Sequence, residues 1–210
     1  YGRSRVSYYA YSSGFITIKA NVQGSINSTV AYVQVGPPPT TNISPFKTLN
    51  AGASILDLAL APDAQHLIVS TDSRAKVVDL STYSFGNDLV DRRTFDADFS
   101  NNGDTLVIVS EPCTDCYSIN VYNGNTLTHQ RGILYGSQEK DVRNIAVSPN
   151  GLAFAGSDYY GQIRIWNISG SLLRTLEARG EDVYITALDW SPPSTGYSAG
   201  LLAVGDEDSL

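Results

Sequence analysis

A chain of 210 residues with 42% hydrophobic content is long enough to bury one large or two small cores, so a wholly disordered tail is excluded. Its formal net charge of −7, with 14 Lys and Arg that form no run, opposes the field a polyphosphate selects and argues against nucleic-acid binding. No apolar stretch approaches the roughly 20 residues that cross a bilayer, and a chain opening at Tyr1 with no methionine is expected to be a processed or partial segment.

Residues 1–35 read as three strand-like runs, 4–11, 15–22 and 25–35, with Gln23-Gly24 as a hairpin turn between the last two. Ile16, Ile18, Ala20 and Val22 share one strand face, as do Ala31, Val33 and Val35 on the partner strand. Asn27 has the parity of that second set. The stretch resembles the closing strands of an Ig-like β-sandwich module of the PKD or bacterial adhesion type. That resemblance implies earlier strands ahead of Tyr1 or from a neighbouring molecule.

Residues 36–45 form a proline-rich linker. Consecutive prolines fix φ and favour polyproline II, giving a semi-rigid spacer of up to about 31 Å. Pro37, Pro38 and Pro39, followed by two threonines, resemble the tracts that algal and plant cell-wall glycoproteins hydroxylate and glycosylate; an unmodified linker is the alternative.

From residue 46 to 210 the chain repeats. KDVRNIAVSPNGLAFAGSDYYGQIRIWN has counterparts in ILDLALAPDAQHLIVSTDSRAKVVDL, RTFDADFSNNGDTLVIVSEPCTDCYSINVY and YITALDWSPPSTGYSAGLLAVGDEDSL. Each has an alternating strand, a turn and a second strand ending in small or polar residues. The turn falls at Pro62, Asn101, Pro149 and Pro192, which lie 39, 48 and 43 residues apart. A unit of this size buries one sheet face by itself and needs a neighbouring copy for the other, so stacking is obligatory. Ile145 and Val147 share a face of the first strand, the run Leu152 to Gly156 is apolar on both faces, and Ile163 and Ile165 oppose Trp166 on the third.

The SPNG turn, the following GSD and the closing IRIWN resemble WD-repeat β-propellers. The resemblance implies an all-β fold: a partial WD-repeat-like β-propeller of about four copies, the last incomplete, behind the N-terminal Ig-like β-sandwich segment. No Gly-His dipeptide occurs, so the family's His–Asp network is missing from every copy. Lys47-Thr48-Leu49 matches Arg174-Thr175-Leu176, which predicts that Phe46 to Leu49 supply the outer strand of the ring's last blade.

Candidate chemistry is sparse. Asn27, Asn42 and Asn167 open Asn-x-Ser/Thr triplets and are candidate glycan acceptors if the chain is secreted, as its Tyr, Ser, Thr and Asn usage suggests. Cys113 and Cys116 form the one cysteine pair. With no helix to follow them and no two further ligands, they read as a disulfide stapling a hairpin tip, with two free thiols as the alternative. His66 and His129 have no ligand spacing. Asp96 and Asp98 lie on the same side of a strand, either as a calcium site or, more commonly, as solvated channel-lining or turn-capping carboxylates. Asp206, Glu207 and Asp208 form a second acidic run, and Arg179-Gly180-Glu181 is a loop triplet of no diagnostic force. No Gly-x-Ser-x-Gly elbow, P-loop or Gly-x-Gly-x-x-Gly fingerprint occurs, so no catalytic residue, cofactor or metal is expected.

The resulting expectation is a non-enzymatic extracellular structural or adhesive protein. It would bind copies of itself or other protein partners, carry glycans, and assemble into a fibre or surface layer by β-strand addition. The alternative is a cytosolic WD-repeat scaffold that docks partner proteins on the propeller faces.

Overall fold

A computed structural model describes residues 14–20, 29–35, 47–111, 118–133, 142–158, 160–177, 183–193 and 200–207. The predicted strand over residues 4–11, the linker over 36–45 and the positions Asn27, Asn42, Pro37, Pro38, Pro39, Cys113 and Cys116 lie outside the described residues. Every regular element described is a β-strand.

Strands β1 (Gly14–Ala20) and β2 (Thr29–Val35) pair antiparallel, with Ile16 opposite Val33 and Ile18 opposite Ala31. Ala20 pairs with Thr29, two residues away from the register a tight turn at Gln23-Gly24 would impose. A two-residue offset preserves strand parity, so the predicted apolar sets still oppose each other. Strand β3 (Thr48–Asn50) runs parallel to β1, with Ile18 opposite Leu49. The pairing with the ring's last blade expected of Phe46 to Leu49 is not among the described pairings; Leu49 and Ala51 pack beside the first blade on Leu58, Leu67, Val69 and Val78.

Three four-stranded antiparallel sheets and one two-stranded sheet follow. Blade 1 holds β4 (Ile55–Leu60), β5 (His66–Thr71), β6 (Ala75–Asp79) and β7 (Ser84–Val90). Blade 2 holds β8 (Thr94–Phe99), β9 (Thr105–Ser110), β10 (Ile119–Asn123) and β11 (Thr128–Ile133). Blade 3 holds β12 (Val142–Val147), β13 (Ala153–Asp158), β14 (Gln162–Asn167) and β15 (Leu172–Glu177), and blade 4 holds β16 (Ile185–Trp190) and β17 (Leu202–Asp206). The first strands β4, β8, β12 and β16 pack side by side in that order, which makes them the innermost strands of a fan of blades.

Blades 2 and 3 each contribute to two cores because each has a neighbouring blade on both faces. Ala59, Ile68 and Val77 meet Ala97, Phe99, Leu106, Ile108 and Tyr122 between blades 1 and 2. Val107, Val109, Ile119 and Val121 meet Ile145, Val147, Phe154 and Trp166 between blades 2 and 3. Ala155, Ile163 and Ile165 meet Ile185, Leu188, Trp190 and Leu202 between blades 3 and 4. Strand β9 is buried at every position, as a strand covered on both faces must be. Trp166 and the Ile163/Ile165 pair serve opposite cores, as their alternation predicts. Leu152 departs from the expected buried strand: β13 begins at Ala153, and Leu152 sits in the preceding turn at 62% exposure.

The turn between the first two strands uses one device repeatedly. Ser100, Ser148 and Ser191 each accept, on the side-chain oxygen, the N–H of the residue at or next to the start of the second strand, from Thr105, Ala153 and Leu201. Gly103 and Gly151 take φ of 77° and 68° within it, a region favouring glycine; Ala64, at the same slot in blade 1, adopts 57°. In blade 3, Asp158 Oδ1 accepts the Tyr160 and Gln162 N–H groups while Oδ2 accepts Arg164 Nη1 at 2.7 Å. Arg164 thus satisfies the buried Asp158 carboxylate.

Candidate functional site

The inner strands carry the one concentration of buried acidic groups among the described residues. In every sheet the pairing of first and second strands slips at the same place, between Ile55 and Asp57, Thr94 and Asp96, Val142 and Asn144, and Ile185 and Ala187. A bulge adds one residue and re-aims those beside it. The bulged residues are Leu56, Phe95, Arg143 and Thr186. Phe95 stacks under two guanidinium groups, with Arg143 at 4.1 Å and Arg93 at 5.2 Å from the ring centre.

Immediately after each bulge, a side chain points at the next blade. Asp57 Oδ2 accepts the Ala97 N–H at 3.1 Å, and Asp96 Oδ2 accepts the Ile145 N–H at 2.8 Å, the same contact one blade further round. Two residues on, Asp98 Oδ2 accepts the Val147 N–H at 2.6 Å. Asn144 occupies the slot in blade 3 and reverses polarity, donating Nδ2–H to the Ile185 carbonyl at 2.8 Å. Trp190 Nε1 donates back to the Ala146 carbonyl at 3.1 Å. These bonds knit the inner strands together through side chains, where backbone ladders cannot reach.

Asp96 and Asp98, expected as solvated channel-lining or turn-capping carboxylates, are half-buried, and each accepts a backbone N–H of the next blade. Burial raises the Asp98 pKa to about 8, with the charges of Asp57 and Asp189 adding to the effect. Burial also raises Asp96 well above its ordinary value, and the charge on Asp57 pushes the same way. Asp57 is raised by burial to about 6, against hydrogen bonds from Asp96 and the Leu58 and Ala97 backbone. Among the described residues no group of three or more His, Cys, Asp or Glu is placed to hold a metal ion. The parity of Asp96 and Asp98 was legible; Asp57 and Asn144 were missed, although a polar residue recurs at one slot of three otherwise apolar strands.

A second feature lies where the turns gather. Leu152, Leu172, Leu173 and Leu201 are each more than half exposed. Leu152 precedes β13 where blades 1 and 2 have Gln65 and Asp104, and Leu201 precedes β17 at the position of His66 and Thr105. The outer strand β15 is exposed at each position from Leu172 to Leu176. Asn167 sits half-buried at the same end of blade 3, its Oδ1 accepting the Ser171 N–H at 2.9 Å. Asp206 ends β17, and the Glu207 N–H donates to the Tyr184 carbonyl at 3.1 Å. His66 and His129 lie in different blades, His129 edge-on to Tyr122.

A protein-family model, the WD domain, G-beta repeat, matches residues 128–167, which run from the last strand of blade 2 through the third strand of blade 3. This chain folds as a WD-repeat-like β-propeller. Solved propellers of similar shape include U3-55K (TM-score 0.55, 15% identity, 66% of this chain and 43% of that one). The WD40 repeats of RRP9 align with TM-score 0.54 and 15% identity over 66% of this chain and 42% of that one. Hydrazine synthase of Kuenenia stuttgartiensis aligns with TM-score 0.55 and 14% identity over 75% of this chain and 43% of that one. At such identities the likeness is one of fold, and the WD-repeat-like chain spans less than half the length of each. No curated protein matches it.

Proposed function

We propose that this WD-repeat-like propeller is a non-enzymatic scaffold that docks protein partners at the leucine-bearing end of blades 3 and 4. The observation that carries the reading is the exposed Leu152, where the equivalent turns of blades 1 and 2 carry Gln65 and Asp104, together with exposed Leu172, Leu173 and Leu201 at the same end. Apolar side chains gathered at one end of a polar molecule mark interaction sites more often than isolated ones do. With photo-leucine incorporated and the chain irradiated in its native extract, crosslinks to partner proteins are expected at positions 152, 172, 173 and 201. Even labelling of leucines throughout the chain, or none, would refute the docking end.

A second reading, an extracellular glycoprotein that self-assembles by strand addition, draws support from two observations. The Asn167 triplet continues into an exposed turn at Ser169, and β17 has no strand on its outer edge among the described residues. A glycan on Asn167 and a protein seated on Leu172 would compete for the same space. Intact-mass measurement of natively produced protein separates the readings: hexose-spaced additions removed by Asn167→Gln support the second, and an unmodified mass supports the first.

A further inference from the structure

The chain holds three Asn-Gly pairs, Asn102-Gly103, Asn123-Gly124 and Asn150-Gly151. Asparagine is a chemically labile residue, most of all before glycine, whose backbone nitrogen has no side chain beside it and can reach the preceding carboxamide carbon. Two of the pairs stand in matching turns of blades 2 and 3, so each serves as a control for the other. Asn102 and Asn150 are both exposed, and the glycines after them take φ of 77° and 68°. The Gly103 N–H donates to the Ser100 carbonyl at 2.9 Å and the Gly151 N–H to the Ser148 carbonyl at 2.8 Å, which masks the two nitrogens alike. The carboxamide oxygens are matched too. Asn102 Oδ1 accepts the Ser100 hydroxyl at 2.6 Å and the Asp104 N–H at 3.2 Å. Asn150 Oδ1 accepts the Ser148 hydroxyl at 2.9 Å and the Leu152 N–H at 3.1 Å. Donors placed in this way stabilise an oxygen that gains negative charge when its carbon is attacked.

The turns differ in the residue after the glycine. In blade 2 it is Asp104, whose Oδ2 accepts Asn102 Nδ2–H at 2.9 Å and whose Oδ1 accepts Asn125 Nδ2–H at 2.9 Å. This carboxylate holds the amide nitrogen that would have to leave, and its charge opposes loss of the Gly103 proton. In blade 3 it is Leu152, uncharged and 62% exposed. Among the described residues the Asn150 side chain bonds only through its oxygen. The third pair is shut by crowding. The Gly124 N–H donates to the Asp104 carbonyl at 2.9 Å, and a Cβ on Gly124 would overlap the Gly103 carbonyl oxygen, so this backbone has no room to swing.

We propose that Asn150 is a site of spontaneous deamidation, favoured by the turn it stands in, and that Asp104 protects Asn102 from the same reaction. When the bond from Gly151 to Ser148 opens, the Gly151 nitrogen bonds to Asn150 Cγ. The Cγ–Nδ2 bond breaks, and ammonia leaves with the Gly151 proton. Water then adds to either carbonyl of the cyclic imide, giving aspartate or isoaspartate. The product places a carboxylate two residues from Leu152, whether or not a partner docks there. Isoaspartate also lengthens the backbone inside the turn that Ser148 closes on the Ala153 N–H at 3.0 Å.

Peptide mapping by mass spectrometry of the full folded chain, incubated at mildly alkaline pH, tests the site. Carboxyl is expected to replace amide at Asn150 about fivefold or more faster than at Asn102, the effect of one charge a few ångströms away in water. Asn123 is expected to stay an amide. In urea, where the turns are lost, the rates at positions 102 and 150 are expected to converge. Leu152→Asp is expected to slow the folded chain's reaction at Asn150 to the rate at Asn102. Equal rates at Asn102 and Asn150 in the folded chain, the same preference for Asn150 in urea, or an unchanged rate in Leu152→Asp would each overturn the proposal. Should Leu152→Asp fail to fold, the wild-type comparison with and without urea decides the matter.

Discussion

Trp166→Ala is expected to cost about 3–5 kcal/mol of stability, read as a fall in the urea midpoint. Trp166 is 3% exposed and stacks on the fully buried Phe154 at 5.4 Å between ring centres. Its loss opens a cavity in the core that joins blade 2 to blade 3. That core cannot close over it, because Val107, Val109, Ile119 and Val121 are fixed in strands of blade 2. Small domains have about 5–15 kcal/mol in total, so this one change is expected to leave the chain marginal. A cost below about 1 kcal/mol would show that blades 2 and 3 are not packed as described.

Gly124→Ala is expected to cost about 3 kcal/mol, at the upper end of what overpacking usually does. The Gly124 N–H donates to the Asp104 carbonyl at 2.9 Å, pressing the β10–β11 turn onto the β8–β9 turn. A Cβ at Gly124 would overlap the Gly103 carbonyl oxygen and stand 3.2 Å from the Thr105 nitrogen. Both obstacles are backbone, which cannot swing aside as a long side chain would. Gly86→Ala is the matched control, since its Cβ would meet Val77 Cβ at an ordinary 3.8 Å. Equal urea midpoints for the two variants would disprove the close approach.

The repeat was readable because strand alternation and turn punctuation are local properties. Ile145 and Val147 alternate along four residues, and Pro149-Asn150-Gly151 announces the reversal that Ser148 and Gly151 then make. The inner-strand bonds were not readable in the same way. Asp57 reaches a backbone N–H 40 residues further on, and Asp96 and Asp98 reach donors 49 residues away. Backbone donors leave no mark in composition. The shared side of Asp96 and Asp98 was therefore readable, while the donors of the next blade that they meet were not. Leu152 was misplaced for a related reason: an apolar residue beside an apolar strand reads as part of it, and only the Ser148 hydrogen bond to the Ala153 N–H shows where the turn ends.

Among the described residues the side-chain bonds between inner strands each reach the adjoining sheet, like the teeth of a zipper. Cooperativity in such a chain is passed from neighbour to neighbour. A lesion at the seam of blades 2 and 3 should divide the molecule into two halves that melt at different temperatures, whereas one at Leu49 or Trp190 should fray it from an end.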